Sequence, residues 1–188
     1  MLIIMMTGLS GSGKSTLAVA LQAALKKENC LSDVIDEDVY RGNLSKDLGF
    51  SESDRRENMR RLFNVALTKK ELGIIPIIAA INPYDDLRRQ LCSGHNVKLI
   101  HIHCAIEKLI ARDPKGLYKR AFLPDDHPDK ITNLTGINDR YDFPSNADMA
   151  IDTTNEDVEL SVNRLVQYVM KIINPGANEV CPVLYTIP

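Results

Sequence analysis

The sequence predicts an α/β fold: a five-stranded, mostly parallel sheet with helices on both faces and a lid loop. Three observations predict it. Short apolar runs alternate with longer amphipathic ones, as strands and their crossover helices do. Ile74–Ile81 is apolar almost throughout, as expected of a strand covered on both faces. The one long internal stretch without periodicity, residues 122–146, is rich in Pro, Asp and Asn, and loops of that length in a compact domain are usually functional.

The elements follow in chain order. Leu2–Met6 is a first strand, and Ser15–Lys27 a helix with Leu17, Leu21 and Leu25 on one stripe. Asp33–Ile35 is a short second strand. Ser51 opens a helix running to about Leu72, with Ser51 and Asp54 spaced as a capping box. After the Ile74–Ile81 strand, Pro83–Cys92 is helical, Val97–His103 extended and Ala105–Arg112 helical. Ala147–Ile151 is a short strand, and Glu156–Ile173 the last helix. The domain spans residues 1–174 with its lid at about 113–146, and residues 175–188 are expected to be an irregular tail. No linker divides the chain.

Composition excludes several classes. With 188 residues, 44% hydrophobic and 26% charged, the chain has the makeup of a globular protein with one sizeable core. A net charge of −2 offers no bulk attraction to nucleic acid or anionic membrane. Recognition of a phosphorylated ligand must come from local Arg and Lys clusters. The apolar start MLIIMM is six residues long, too short for a membrane span of about 20 residues, and it lacks signal-peptide features. Cys30, Cys92, Cys104 and Cys181 form no CxxC pair, so reduced thiols and a cytoplasmic location are expected. His101 and His103 share one face of a strand; with no third ligand in sight, a buried pair is expected rather than a metal site.

Between the first strand and helix stands GLSGSGKST, Gly8–Thr16, in which Gly8, Gly13, Lys14 and Ser15 satisfy G-x-x-x-x-G-K-[ST]. The glycines let successive N–H groups turn inward around phosphate oxygens, and the following helix adds partial positive charge. Ser10, Gly11, Ser12, Gly13 and Thr16 complete the cradle. Lys14 can reach the outer phosphates and the Ser15 hydroxyl can ligate Mg2+. A nucleoside triphosphate is the expected ligand. No N-K-x-D motif marks a GTPase, and no apolar run ends in a DExx-type segment with the remainder of a motor core behind it. Asp36-Glu37-Asp38 instead ends the second strand, the edge that faces the ligand crevice in an open parallel sheet. Carboxylates there can orient Mg2+ and accept a proton from an attacking hydroxyl; alternatively, Asp38 caps a short following helix.

Arg41 follows, and GFSESDRRENMRR then places Arg55, Asn58 and, nearly a turn beyond, Arg61 on roughly one helix face. Such a face can hold an anionic nucleotide through Arg forks; a solvated charged face is the plain alternative. With these motifs the chain resembles the adenylyl-sulfate kinases, P-loop kinases that phosphorylate the ribose 3′-hydroxyl of adenylyl sulfate with MgATP. The resemblance extends through about Thr153 and rests on GLSGSGKST, DEDVYR, GFSESDRRENMRR, AINPY, RDPKGLYKR and LTGI. It implies that Asp36 and Asp38 serve Mg2+ and the 3′-hydroxyl, and that Arg41, Phe50, Arg55, Asn58 and Ile81 line an acceptor pocket. It implies further that Arg112 lies near the ATP base, that the segment after it is the lid with Lys115 and Lys119 as cations, and that the protein is a homodimer.

Departures from the family pattern fall on the acceptor side. Glu37 stands where the family usually has Gly between the aspartates, and Asn82 where an AxxSPY-like stretch often carries Ser. Thr132-Asn133-Leu134-Thr135-Gly136 replaces a K-x-F-T-G-like stretch, so Leu134 takes the place of an aromatic. Two alternatives therefore stand beside a strict adenylyl-sulfate kinase. One is a kinase for the 3′-hydroxyl of another modified nucleotide, such as a cytidine diphosphoramidate; the other is a non-catalytic nucleotide-binding switch.

Overall fold

The computed structural model describes residues 1–175; the expected irregular tail falls, beyond Pro175, outside the described residues. Five strands form one sheet: β1 (Ile3–Thr7), β2 (Ser32–Asp36), β3 (Ile75–Ala79), β4 (Val97–His103) and β5 (Met149–Asp152). Their order is β2-β3-β1-β4-β5 and every pairing is parallel. The helices are α1 (Lys14–Lys27), α2 (Glu37–Arg41), α3 (Glu52–Glu71), α4 (Asp85–Cys92), α5 (Ile106–Arg112), α6 (Leu117–Ala121) and α7 (Val158–Ile173).

Alternation along β1 divides the core in two. Ile4 and Met6 pack with Leu17, Leu21, Leu165 and Val166 under α1 and α7. Ile3 and Met5 face the other way, against Met59, Leu62 and Phe63 of α3 and Leu87 of α4. β1 is therefore buried on both faces, which is why MLIIMM carries no polar residue. A third, smaller cluster of Cys104, Leu109, Tyr118, Ala121 and Leu134 lies under segment 113–146.

The expected elements all form, with shifted ends. The strand foreseen over Ile74–Ile81 stops at Ala79, because the Ile81 N–H leaves the ladder for the Glu37 carboxylate at 3.0 Å. Ser51 caps α3 as its spacing predicts, accepting from the Asp54 N–H at 3.2 Å. The cap of α2 is Asp36, not Asp38: Asp36 Oδ1 accepts from the Asp38 N–H at 2.9 Å. Helix α6 is an addition. Asp113 holds it by accepting from the Tyr118 and Lys119 N–H groups at 3.1 and 2.9 Å, a local side-chain-to-backbone closure that hydrophobic periodicity does not reveal.

Cys30 and Cys92 are half-buried and Cys104 buried, all as free thiols. His101 is buried among His103, Tyr141 and Phe143 rings, with centroids 5.9, 6.4 and 5.3 Å away. Among the described residues no group of three potential metal ligands assembles, and no helix is long and apolar enough to cross a membrane.

Candidate active site

At the carboxyl ends of β1 and β2 lies a cavity of about 710 Å3. Its floor is the loop between β1 and α1, built from backbone more than from side chains. A Cβ at Gly8 would lie 2.2 Å from the Ile102 carbonyl oxygen of β4, and Gly13, at φ +96°, occupies the left-handed region at the start of α1. At Gly8 any Cβ would displace backbone, and at Gly13 the left-handed φ is one that favours glycine. The loop is pinned from behind: Thr153 Oγ1 donates to the Ser12 carbonyl at 2.9 Å, and Tyr118 Oη to the Ser10 carbonyl at 2.8 Å. Of the predicted cradle residues, Ser10, Gly11, Gly13, Lys14, Ser15 and Thr16 face the cavity. Gly8 and the fully buried Ser12 form the frame beneath them.

Lys14 is buried and donates to the Gly8 and Leu9 carbonyls at 2.9 and 2.8 Å. Burial pulls its pKa down to about 8; the Lys115 cation pushes the same way, while Glu37, Asp38 and Asp36 oppose it. An arriving polyphosphate supplies the negative charge this ammonium lacks. Ser15 Oγ donates to Asp36 Oδ2, bringing a hydroxyl and a carboxylate oxygen together at the cradle's edge. That pair is a hard-oxygen donor set of the kind Mg2+ takes alongside substrate phosphates.

The opposite wall carries residues expected on the acceptor side. Glu37, Asp38, Arg41, Phe50, Arg55 and Ile81 all line the same cavity. The half-exposed Phe50 ring sits under two guanidinium groups, 4.5 Å from Arg41 and 5.5 Å from Arg55. Arg55 is buried and donates to the Phe50 carbonyl at 3.0 Å and to the Asn133 carbonyl at 2.7 Å, joining α3 to segment 113–146. Asp38 Oδ2 accepts from Lys115 Nζ, a second tie between that segment and the acidic corner. Leu134 lines the cavity too, but is 6% exposed and rooted in the small cluster with Tyr118 and Leu109.

Several of the singled-out residues lie off this cavity's wall. Asn58 is fully buried behind Glu37, to which its Nδ2 donates at 3.0 Å, so it supports the wall and does not face the cavity. Asn82 is buried with its amide against Met5 Sδ, and the adjoining carbonyl accepts from Arg88. Arg112 donates to the Thr153 carbonyl at 2.9 Å, behind the cradle and off the cavity wall. Arg61 is held outside by Asp47 and Glu57. Lys119 is exposed and points off the wall; its neighbour Arg120 and the more distant Lys130 line the cavity instead. Adjacent residues on a helix diverge by about 100°, and a five-residue helix has too little pattern to say which of the two turns inward.

The comparisons with known proteins agree with this geometry. A family model described as adenylylsulphate kinase matches residues 1–152. The adenylyl-sulfate kinase of Geotalea uraniireducens is 40% identical over 171 residues, covering 89% of this chain and 80% of the relative. That of Pseudomonas aeruginosa is 38% identical over 169 residues, covering 88% and 84%. Among solved structures, the APS kinase CysC of Mycobacterium tuberculosis in complex with AMPPNP and APS superposes with a TM-score of 0.81 at 31% identity, over 89% of this chain and 96% of that one. Shikimate kinase from Aquifex aeolicus, at 18% identity and a TM-score of 0.53, shares the fold alone. With a phosphate cradle, an acidic strand end and an Arg-rich helix converging on one cavity, this chain belongs to the adenylylsulphate kinase family.

Proposed function

We propose that the protein transfers the γ-phosphoryl group of ATP to the ribose 3′-hydroxyl of adenylyl sulfate, giving 3′-phosphoadenylyl sulfate. One observation carries the reading: the cradle residues Lys14 and Ser15 and the acceptor-side residues Asp38, Arg41, Phe50 and Arg55 line a single cavity. A sugar hydroxyl and a terminal phosphorus can therefore meet in line without crossing solvent. Asp38 accepts the hydroxyl proton. Lys14 and Lys115 balance the charge that develops on the transferred group. Ser15 and Asp36 would hold Mg2+, which when bound would supply positive charge to neutralise the phosphates. Segment 113–146 serves as the lid, bringing Lys115, Arg120 and Lys130 over the cavity and excluding water, so that ATP is not spent on hydrolysis.

Glu37 and Leu134 both face the acceptor region and keep a second reading in play, in which another modified nucleotide is the better acceptor. A cytoplasmic location and assembly as a homodimer belong to the proposal as well; light scattering of the purified protein checks the latter. The test of function is ADP release measured with MgATP and a panel of nucleotide acceptors. Release that depends on adenylyl sulfate supports the first reading, and a higher kcat/KM on another 3′-hydroxyl nucleotide transfers the support to the second. ATP hydrolysis indifferent to every acceptor contradicts both.

A further inference from the structure

Glu37 stands at the centre of the acceptor wall, with 15% of its side chain exposed. Its Oε1 accepts from Arg41 Nε at 3.3 Å and from Asn58 Nδ2 at 3.0 Å, and its Oε2 accepts from the Ile81 N–H at 3.0 Å. Three donors, from α2, α3 and the segment after β3, thus converge on one internal carboxylate. Around it the hydrogen bonding is incomplete: among the described residues the buried Arg41 Nη2 has no partner, and neither does Asn58 Oδ1. A buried guanidinium nitrogen left unpaired is costly, and Arg41 itself opens on the cavity. The arrangement is that of an anion seat whose own carboxylate has taken most of the donors.

We infer that Glu37 is a specificity-determining residue acting as an internal competitor: its carboxylate occupies the Arg41 Nε and the Ile81 N–H, donors on the cavity wall that an anionic acceptor would otherwise use, and so weakens the binding of such acceptors. The inference rests on the proposed acceptor site but not on turnover. An acceptor anion entering beside Arg41 meets a like charge and has to displace it. Removing the charge frees the donors, so affinity for an anionic acceptor rises. A purely supporting role predicts the opposite sign, because Arg41 and Asn58 would lose the group that orients them.

The experiment is calorimetric titration of adenylyl sulfate into the protein saturated with MgADP, a combination that cannot react, together with steady-state KM values for adenylyl sulfate and ATP. Wild type, Glu37→Gln and Glu37→Gly are compared. Glu37→Gln keeps the side-chain volume and an oxygen for the Ile81 N–H, so it guards against loss of fold in the glycine variant; thermal melts report on both. The expected result is a fivefold or greater fall in Kd for adenylyl sulfate in Glu37→Gly and a smaller fall in Glu37→Gln, with Kd for ADP held within twofold. Unchanged or weaker binding of adenylyl sulfate in a folded variant overturns the inference. Tight binding with no transfer in wild type overturns the proposed activity instead, while the ratio of Kd values still decides the role of Glu37. No binding in any of the three proteins overturns both.

Discussion

The two walls of the cavity are made differently. The phosphate side is backbone, shaped by glycines and fixed between β1 and α1, with Gly8 pressed on the Ile102 carbonyl. The acceptor side is side chain, a set of Arg, Phe and Glu groups from α2, α3 and the segment between them, held by mutual contacts such as Arg41–Glu37 and Arg55–Asn133. A backbone cradle tolerates little variation in sequence and so specifies one ligand chemistry. A side-chain wall can be altered one residue at a time, and in this chain the departures from the family pattern lie there. The donor is therefore fixed by the fold and the acceptor by a handful of substitutable contacts.

Asp38→Asn should break that division most sharply. Losing a group that accepts a proton in the transition state costs about 10²–10⁴ in kcat, while ATP affinity, set on the other wall, stays within a few-fold. Stopped assays and titration with a non-hydrolysable ATP analogue measure the two effects separately. Gly8→Ala attacks the cradle instead: its Cβ would lie 2.2 Å from a backbone oxygen, and overpacking of that kind costs about 3 kcal/mol. Chemical denaturation and ATP titration should both register the loss.

Arg55→Ala removes a buried cation shared by Phe50 and Asn133. A charge-assisted hydrogen bond worth about 1.5–3 kcal/mol predicts a roughly 10–100-fold rise in KM for the acceptor with KM for ATP little changed. The Lys14 ammonium supplies a pH signature for the donor wall. Its free-state pKa is about 8, so ATP affinity should fall as pH rises beyond that value, by at most about tenfold per unit. The unliganded fold should respond with the opposite sign. Between about 8 and the ordinary lysine value of 10.5, the unfolded chain holds the extra proton, so stability rises with pH across that window. Lys14→Met should abolish both slopes. The smallest effect is expected from Leu134→Phe, where a ring facing the acceptor adds about 0.5–1.5 kcal/mol of stacking, read as a few-fold drop in acceptor KM.

What could be read from the sequence divides along the same line. The strands, the long helices and the cradle were legible because apolar alternation and the G-x-x-x-x-G-K-S spacing are local signals. Arg41, Phe50, Arg55 and Ile81, which the family resemblance sets around an acceptor, line the cavity. Asn58 and Asn82 do not, because burial against Glu37 and Met5 depends on how distant segments pack. Helix α6 escaped notice because Asp113 closes it through two side-chain contacts. The same blind spot hid Arg120 and Lys130 behind Lys119. Glu37 stood out in the sequence only as an odd residue between two aspartates; its three donors come from positions 4, 21 and 44 residues away.

The most direct measurement is a single-turnover reaction of the enzyme with ATP labelled at the γ-phosphorus and adenylyl sulfate, followed by identification of the labelled product. The account predicts label on the 3′-oxygen of adenylyl sulfate, appearing at the rate of ADP formation and lost in Asp38→Asn. Label recovered as inorganic phosphate, or on no nucleotide at all, would contradict it.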